Sequence, residues 1–156
     1  MVHLRPLDQA DMYLATRARG YDIELVQRYI QNSLCLESEQ MSHICAVAAK
    51  HKIAVVLGYS ERDGNSLFLG QCYIDSDGVI KMHRRKIKPT HMERTVFGDG
   101  SGDSLLNVVD DPKVAKVGAL CCWERAFAAT AKVSHALSRG TDTCCCLACP
   151  TASRGG

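Results

Sequence analysis

The chain is 156 residues long, 46% hydrophobic and 23% charged. That is the size and balance of one ordinary globular domain, with enough apolar mass to form a core without disulfide staples. Nineteen Lys and Arg against 17 Asp and Glu leave a formal charge of +2, too small a bias to imply a nucleic-acid partner. Apolar stretches such as Ile53 to Gly58 are far too short to cross a bilayer as a helix. Residues 1–20 are interrupted by Arg5, Asp8, Asp11, Arg17 and Arg19 and do not read as a secretory signal. Nine cysteines, an odd number without such a signal, point to free thiols in a reducing, cytoplasmic setting. Cys35, Cys45 and Cys72 read as small core hydrophobes.

Residues 1–21 show no period and read as a leader. Asp22 is a plausible N-cap for a helix whose face carries Ile23, Val26, Tyr29 and Ile30. A second helix is predicted from Ser38, with Met41, Ile44, Cys45 and Ala48 on one face. Lys50, His51 and Lys52 suit its negative end. Ile53–Gly58 reads as a strand buried on both faces, and Ser60–Ser66 as a polar break around Asp63-Gly64-Asn65. Leu67–Ile74 and Val79–His83 form a predicted hairpin about Asp75-Ser76-Asp77-Gly78. Residues 85–104 read as a long functional loop. Leu105–Val109 and Lys116–Cys121 are two further strands around Asp110-Asp111-Pro112. The order predicts a mixed α/β layout with antiparallel pairs.

Two features suggest chemistry. Cys122 ends the apolar run Val117-Gly118-Ala119-Leu120-Cys121, where a sharp turn would present a thiol rigidly to a pocket; the alternative is a structural cysteine. His83-Arg84-Arg85-Lys86-Ile87-Lys88 ends a hairpin strand. Because strand side chains alternate, Arg84 and Lys86 point one way and Arg85 the other. A charge turned inward needs a carboxylate, and Glu61, Glu93 and Glu124 are the candidates. Otherwise the cluster is a solvated edge or a basic binding module. A lysine beside a cysteine favours the thiolate and can stabilise negative charge forming on a substrate, and a glutamate can move protons.

Three segments carry a resemblance: Gly58-Tyr59-Ser60-Glu61-Arg62-Asp63-Gly64, then Arg84-Arg85-Lys86-Ile87-Lys88-Pro89-Thr90-His91-Met92-Glu93-Arg94-Thr95-Val96-Phe97-Gly98-Asp99-Gly100, then Gly118-Ala119-Leu120-Cys121-Cys122-Trp123-Glu124. From about Asp22 to Glu124 the sequence resembles the nitrilase family of carbon–nitrogen hydrolases, on the nitrilase and cyanide hydratase branch. The resemblance implies part of an α-β-β-α sandwich, assembled as a homo-oligomer, acting on a small-molecule nitrile without metal or organic cofactor. It implies Cys122 as nucleophile, Lys86 as catalytic lysine and Glu93 as supporting glutamate, with Trp123 and Glu124 at the substrate. The product is a carboxylic acid and ammonia, or an amide in the cyanide hydratase alternative.

Two departures accompany it. Nothing in residues 1–21 matches the family's opening strands or the Phe-Pro-Glu-like segment holding its general base, and Glu61 lies in a different motif. The chain is therefore expected to be an inactive fragment, or a non-catalytic partner of a longer relative. From Arg125 the family pattern also stops, and residues 125–156 read as a disordered tail. Allowed codons for Ala126 through His135, shifted by one nucleotide, spell His-Leu-Gln-Pro-Leu-Leu-Lys-Tyr-His-Thr, and those for Thr143 through Cys149 spell His-Val-Ala-Ala-Trp-Pro-Ala. Both strings resemble the family's continuation, which points to a frameshift. The rival reading, a zinc site from Cys146, Cys149, Cys121 and Cys122, has poor ligand spacing.

Overall fold

The computed structural model describes residues 23–122, Glu124, and the backbone of Thr143–Leu147. Two helices come first, α1 (Ile23–Asn32) and α2 (Glu39–His51). Ser38 caps α2 as expected, its hydroxyl accepting from the Met41 amide at 3.2 Å. The helix ends in a left-handed Lys52 whose amide returns to the Ala48 and Ala49 carbonyls.

Strands β1 (Val55–Asp63), β2 (Ser66–Ile74) and β3 (Ile80–Arg85) make one antiparallel sheet in the order β1-β2-β3. The expected β2–β3 hairpin is present, with a register shift at Tyr73/Ile74. Two short 3-10 helices, His91–Thr95 and Gly102–Leu105, punctuate the long loop. The second sheet holds β4 (Val108–Asp111), β5 (Ala115–Cys121) and β6 (Thr143–Leu147), with β4 antiparallel and β6 parallel to the central β5.

Three layers follow from the side-chain pattern. Met41, Ala48, Ile44 and Cys45 of α2 pack on Cys72, Ile74, Val55 and Leu57 of the first sheet. The opposite face, Val56, Tyr73 and Met82, packs on Val109, Val117 and Ala119 of the second. This is the helix and sandwich part of the expected partial nitrilase-type fold. Tyr29 of α1 packs with Leu67 and Phe97, the two rings edge to face at 6.2 Å.

The structure differs from the sequence expectation in four places. Ile53, expected in a strand buried on both faces, is 50% exposed and precedes β1. β1 runs on through Ser60, Glu61 and Arg62 and pairs to Asp63↔Ser66. Its polar half is a strand because Glu61, only 2% exposed, finds Arg85 and His83 as hydrogen-bonding partners. β4 starts at Val108, Leu105 being the end of a 3-10 helix. Thr143–Leu147 is a strand where no element was expected, because the backbone of β5 offers a free edge that pairing satisfies whatever the side-chain period. The leader and the rest of 125–156 lie outside the described residues.

Candidate active site

The site is built from consecutive cations at the end of β3. Alternation sends Arg84 and Lys86 toward the second sheet and Arg85 to the other face, and each takes one of the three candidate glutamates. Arg84 forks onto Glu124, with Nη1 donating to Oε2 at 2.8 Å and Nη2 to Oε1 at 2.6 Å. Arg85 donates to Glu61 at 2.9 and 2.6 Å and lies 3.9 Å above the Phe68 ring. His83 Nε2 lies 2.7 Å from the second Glu61 oxygen. Lys86 Nζ donates to Glu93 Oε2 at 2.5 Å and to Thr90 Oγ1 at 3.3 Å. These cations therefore form no solvated patch: Arg84 and Lys86 are each 1% exposed.

Burial alone would push the Lys86 ammonium down. The hydrogen bond to Glu93 and the nearby charges of Cys121, Glu93 and Cys122 outweigh it and hold the group above the usual lysine value. Burial would raise Glu93, but Lys86 and the Thr90 amide, which donates at 2.7 Å, hold the carboxyl below its usual range. Thr90 was not singled out from the sequence. Its position three residues before Glu93, at the head of the 3-10 helix, is a capping-box signal that could have found it.

β5 delivers the thiols. Cys121 is the last strand residue, and burial pushes its thiol up to about 12 despite the Lys86 charge. Cys122 follows with φ of 54°, a left-handed conformation that costs a non-glycine residue of order 1–3 kcal/mol. The turn expected after the apolar run is thus a strained one, and Cys122 is only partly buried. Lys86 and Glu93 are joined by a hydrogen bond, and Cys121 and Cys122 lie within electrostatic reach of the Lys86 ammonium. Trp123 lies outside the described residues. Glu124 was expected at the substrate, but it is 0% exposed, and its carboxylate is turned onto Arg84 and the Cys121 and Ile87 amides, at 2.7 and 2.8 Å. That leaves it no face toward a guest.

Among the described residues no three His, Cys, Asp or Glu side chains cluster as a metal site. Cys146 and Cys149 of the zinc alternative lie outside the described side chains. No described helix is long and apolar enough to cross a membrane.

A buried lysine–glutamate pair beside a cysteine on a strained strand end is a chemically capable arrangement, and comparison with known proteins gives it a lineage. The family model for carbon–nitrogen hydrolases matches residues 18–141. The chain belongs to the carbon–nitrogen hydrolase family. Within it, the chain is 66% identical over 106 residues to an arylacetonitrilase of Aspergillus niger, covering 68% of this chain and 31% of that enzyme. It is 49% identical over 107 residues to the arylacetone-specific nitrilase of Alcaligenes faecalis, covering 69% of this chain and 30% of that one. The lineage of this carbon–nitrogen hydrolase is that of a nitrilase-type enzyme, and the chain spans about a third of the length of the curated relatives it matches.

Solved structures agree on the fold. The NitFhit protein of C. elegans superposes with a TM-score of 0.61 at 18% identity, over 83% of this chain and 33% of that one. A mutant amidase from Nesterenkonia sp. AN1 superposes at 0.54 and 18% identity, over 69% of this chain and 40% of its own. That amidase carries the acetamide moiety of fluoroacetamide, added covalently at its active-site cysteine.

Proposed function

We propose that this chain holds the cysteine–lysine–glutamate part of a nitrile-hydrolysing site whose substrates are arylacetonitriles, small molecules with an aromatic ring one carbon from the nitrile. The observation that carries the reading is the buried Lys86 ammonium, paired with Glu93 and within electrostatic reach of the Cys122 thiol. The Cys122 thiolate adds to the nitrile carbon and forms a thioimidate. The Lys86 charge stabilises the nitrogen as it gains electron density. One water then expels ammonia and leaves a thioester, and a second water releases the carboxylic acid and restores the thiol. Glu93 keeps Lys86 charged and aimed.

The three glutamates described near this centre are committed: Glu93 to Lys86, Glu124 to Arg84, and Glu61 to Arg85 and His83 on the other face of the sheet. A base for the thiol and for water is therefore not among them, and loss of such a base costs about a hundredfold to ten-thousandfold. The chain alone is expected to release no ammonia from phenylacetonitrile. Ammonia release abolished by Cys122→Ala would overturn that expectation. The nucleophile is tested separately by acid-quenching a long incubation with phenylacetonitrile and mapping adducts by mass. The expected adduct sits on Cys122 and is lost in Lys86→Met; an adduct on Cys121 alone, or on neither, refutes the reading.

We also infer that residues 125–156 are read out of frame. β6 pairs Thr143–Leu147 against Val117–Cys121, which is where the shifted reading would put His-Val-Ala-Ala-Trp. Sequencing of the coding DNA, with mass spectra of tail peptides, decides it: an open frame that encodes Arg125 to Gly156 as they stand refutes it.

A further inference from the structure

We propose that Arg84 and Glu124 form a positioning clamp, which fixes the Cys122 thiol against the Lys86 ammonium by tying together the backbone on either side of that pair. The proposal rests on the reading of Cys122 and Lys86 given above and assigns Glu124 a role other than substrate contact.

The two reactive side chains come from different sheets. Lys86 follows β3 and Cys122 follows β5, and no strand ladder joins β3 to β5. Their separation must be set by something else. One carboxylate does it with four donors. Glu124 Oε1 accepts from Arg84 Nη2 at 2.6 Å and from the Ile87 amide at 2.8 Å. Oε2 accepts from Arg84 Nη1 at 2.8 Å and from the Cys121 amide at 2.7 Å. Ile87 is the residue after Lys86, and Cys121 is the residue before Cys122. The same side chain therefore holds both reactive residues through their chain neighbours. Its hold on the Cys121 amide, three residues back, also closes the turn that keeps Cys122 at its strained φ.

Arg84 is anchored in turn. Its Nη1 donates to Gln71 Oε1 at 2.5 Å and its Nε to the Ser104 carbonyl at 3.1 Å. With Arg84 at 1% and Glu124 at 0% exposure, neither side chain is free to swing toward a guest. Stability alone is a weak reason for such a pair, since well-packed apolar residues of similar volume usually serve as well or better. The address of the carboxylate, at the two amides flanking the reactive residues, is what a positioning role requires.

The experiment measures thiol reactivity and needs no turnover. The full chain is treated with iodoacetamide at neutral pH, quenched over time and cleaved after Lys116 and Arg125. Fragment masses of peptide 117–125 then resolve Cys121 from Cys122. Glu124→Gln is expected to slow Cys122 by about tenfold or more, as ångström-scale displacements do, while Cys121 stays protected. Glu124→Asp, which keeps the charge on a shorter arm, should recover part of the rate. A folded Glu124→Gln chain whose Cys122 reacts at the wild-type rate overturns the clamp. So does a variant in which both thiols speed up together, the mark of a group that only holds the fold. Where circular dichroism finds Glu124→Gln unfolded, Arg84→Lys is read by the same criterion, because it keeps the charge and loses the fork. Lys86→Met separates the two readings. An unchanged Cys122 rate in that variant removes the ammonium–thiol pairing, whereas the clamp is judged by the Glu124 and Arg84 variants alone.

Discussion

Glu93 and Lys86 show how two groups that dislike burial make each other tolerable. The Glu93 carboxyl lies below its ordinary value of 4.5, so the native state takes up a proton less readily than the unfolded chain. Its contribution to stability is present above pH 4.5 and is lost as the pH falls through the lower native value. Lys86 lies above its ordinary 10.5, so its contribution is present below that value and is lost as the pH rises through the higher native one. Thermal denaturation should therefore give a plateau between these limits and a fall in acid. Glu93→Gln should cost about 3 kcal/mol by leaving an unpaired ammonium in the core. It should shrink the acid fall without abolishing it, because Glu61 is also held below its usual range, His83 and Arg85 outweighing its burial. Urea titrations of both chains across pH check this. An acid limb unchanged by the substitution would assign it to other carboxyls.

The elements were legible where one rule decided them. α2 was readable from its cap and its apolar face, and β2–β3 from its turn. Asp75 Oδ1 accepts from the Asp77 and Val79 amides at 2.9 Å each, and Gly78 sits at φ of 81°. A methyl group there would meet the Cys45 carbonyl oxygen at 2.5 Å, so the glycine also sets how closely α2 approaches the hairpin. Gly78→Ala should lower the stability by more than 1 kcal/mol, since a left-handed position is filled by a residue that avoids it; a melting temperature within experimental error of wild type would contradict this. The polar half of β1 was not legible. Glu61 reads as loop because its partners, Arg85 and His83, lie more than twenty residues away, and no local period reports a pairing across a sheet.

At the scale of the molecule, the two sheets meet through a small apolar core and a few buried polar bridges. Tyr73 from β2 donates its hydroxyl to Asp111 Oδ2 on β4 at 2.5 Å, and Asp111 is 6% exposed. Tyr73→Phe should cost about 1–3 kcal/mol, the penalty of removing a donor from a buried acceptor. Asp111→Asn, which keeps an acceptor, should cost less. A Tyr73→Phe chain as stable as wild type would show that ring packing, not the bridge, is what the sheets depend on. The lineage and the layered architecture are properties of this whole assembly, and three motifs in the right order were enough to name them.

Residue order alone determined the alternation that puts Arg84 and Lys86 on one face and Arg85 on the other, the short list of glutamates able to receive an inward charge, and the cysteine at the end of an apolar strand. These depend on spacing along one chain, which sequence records directly. Only the folded molecule decided which glutamate takes which cation, that Glu124 faces the backbone beside the reactive pair, and that Thr143–Leu147 closes on β5. Those outcomes depend on which distant segments come within hydrogen-bonding distance, and buried charges accept no partner that burial does not bring to them.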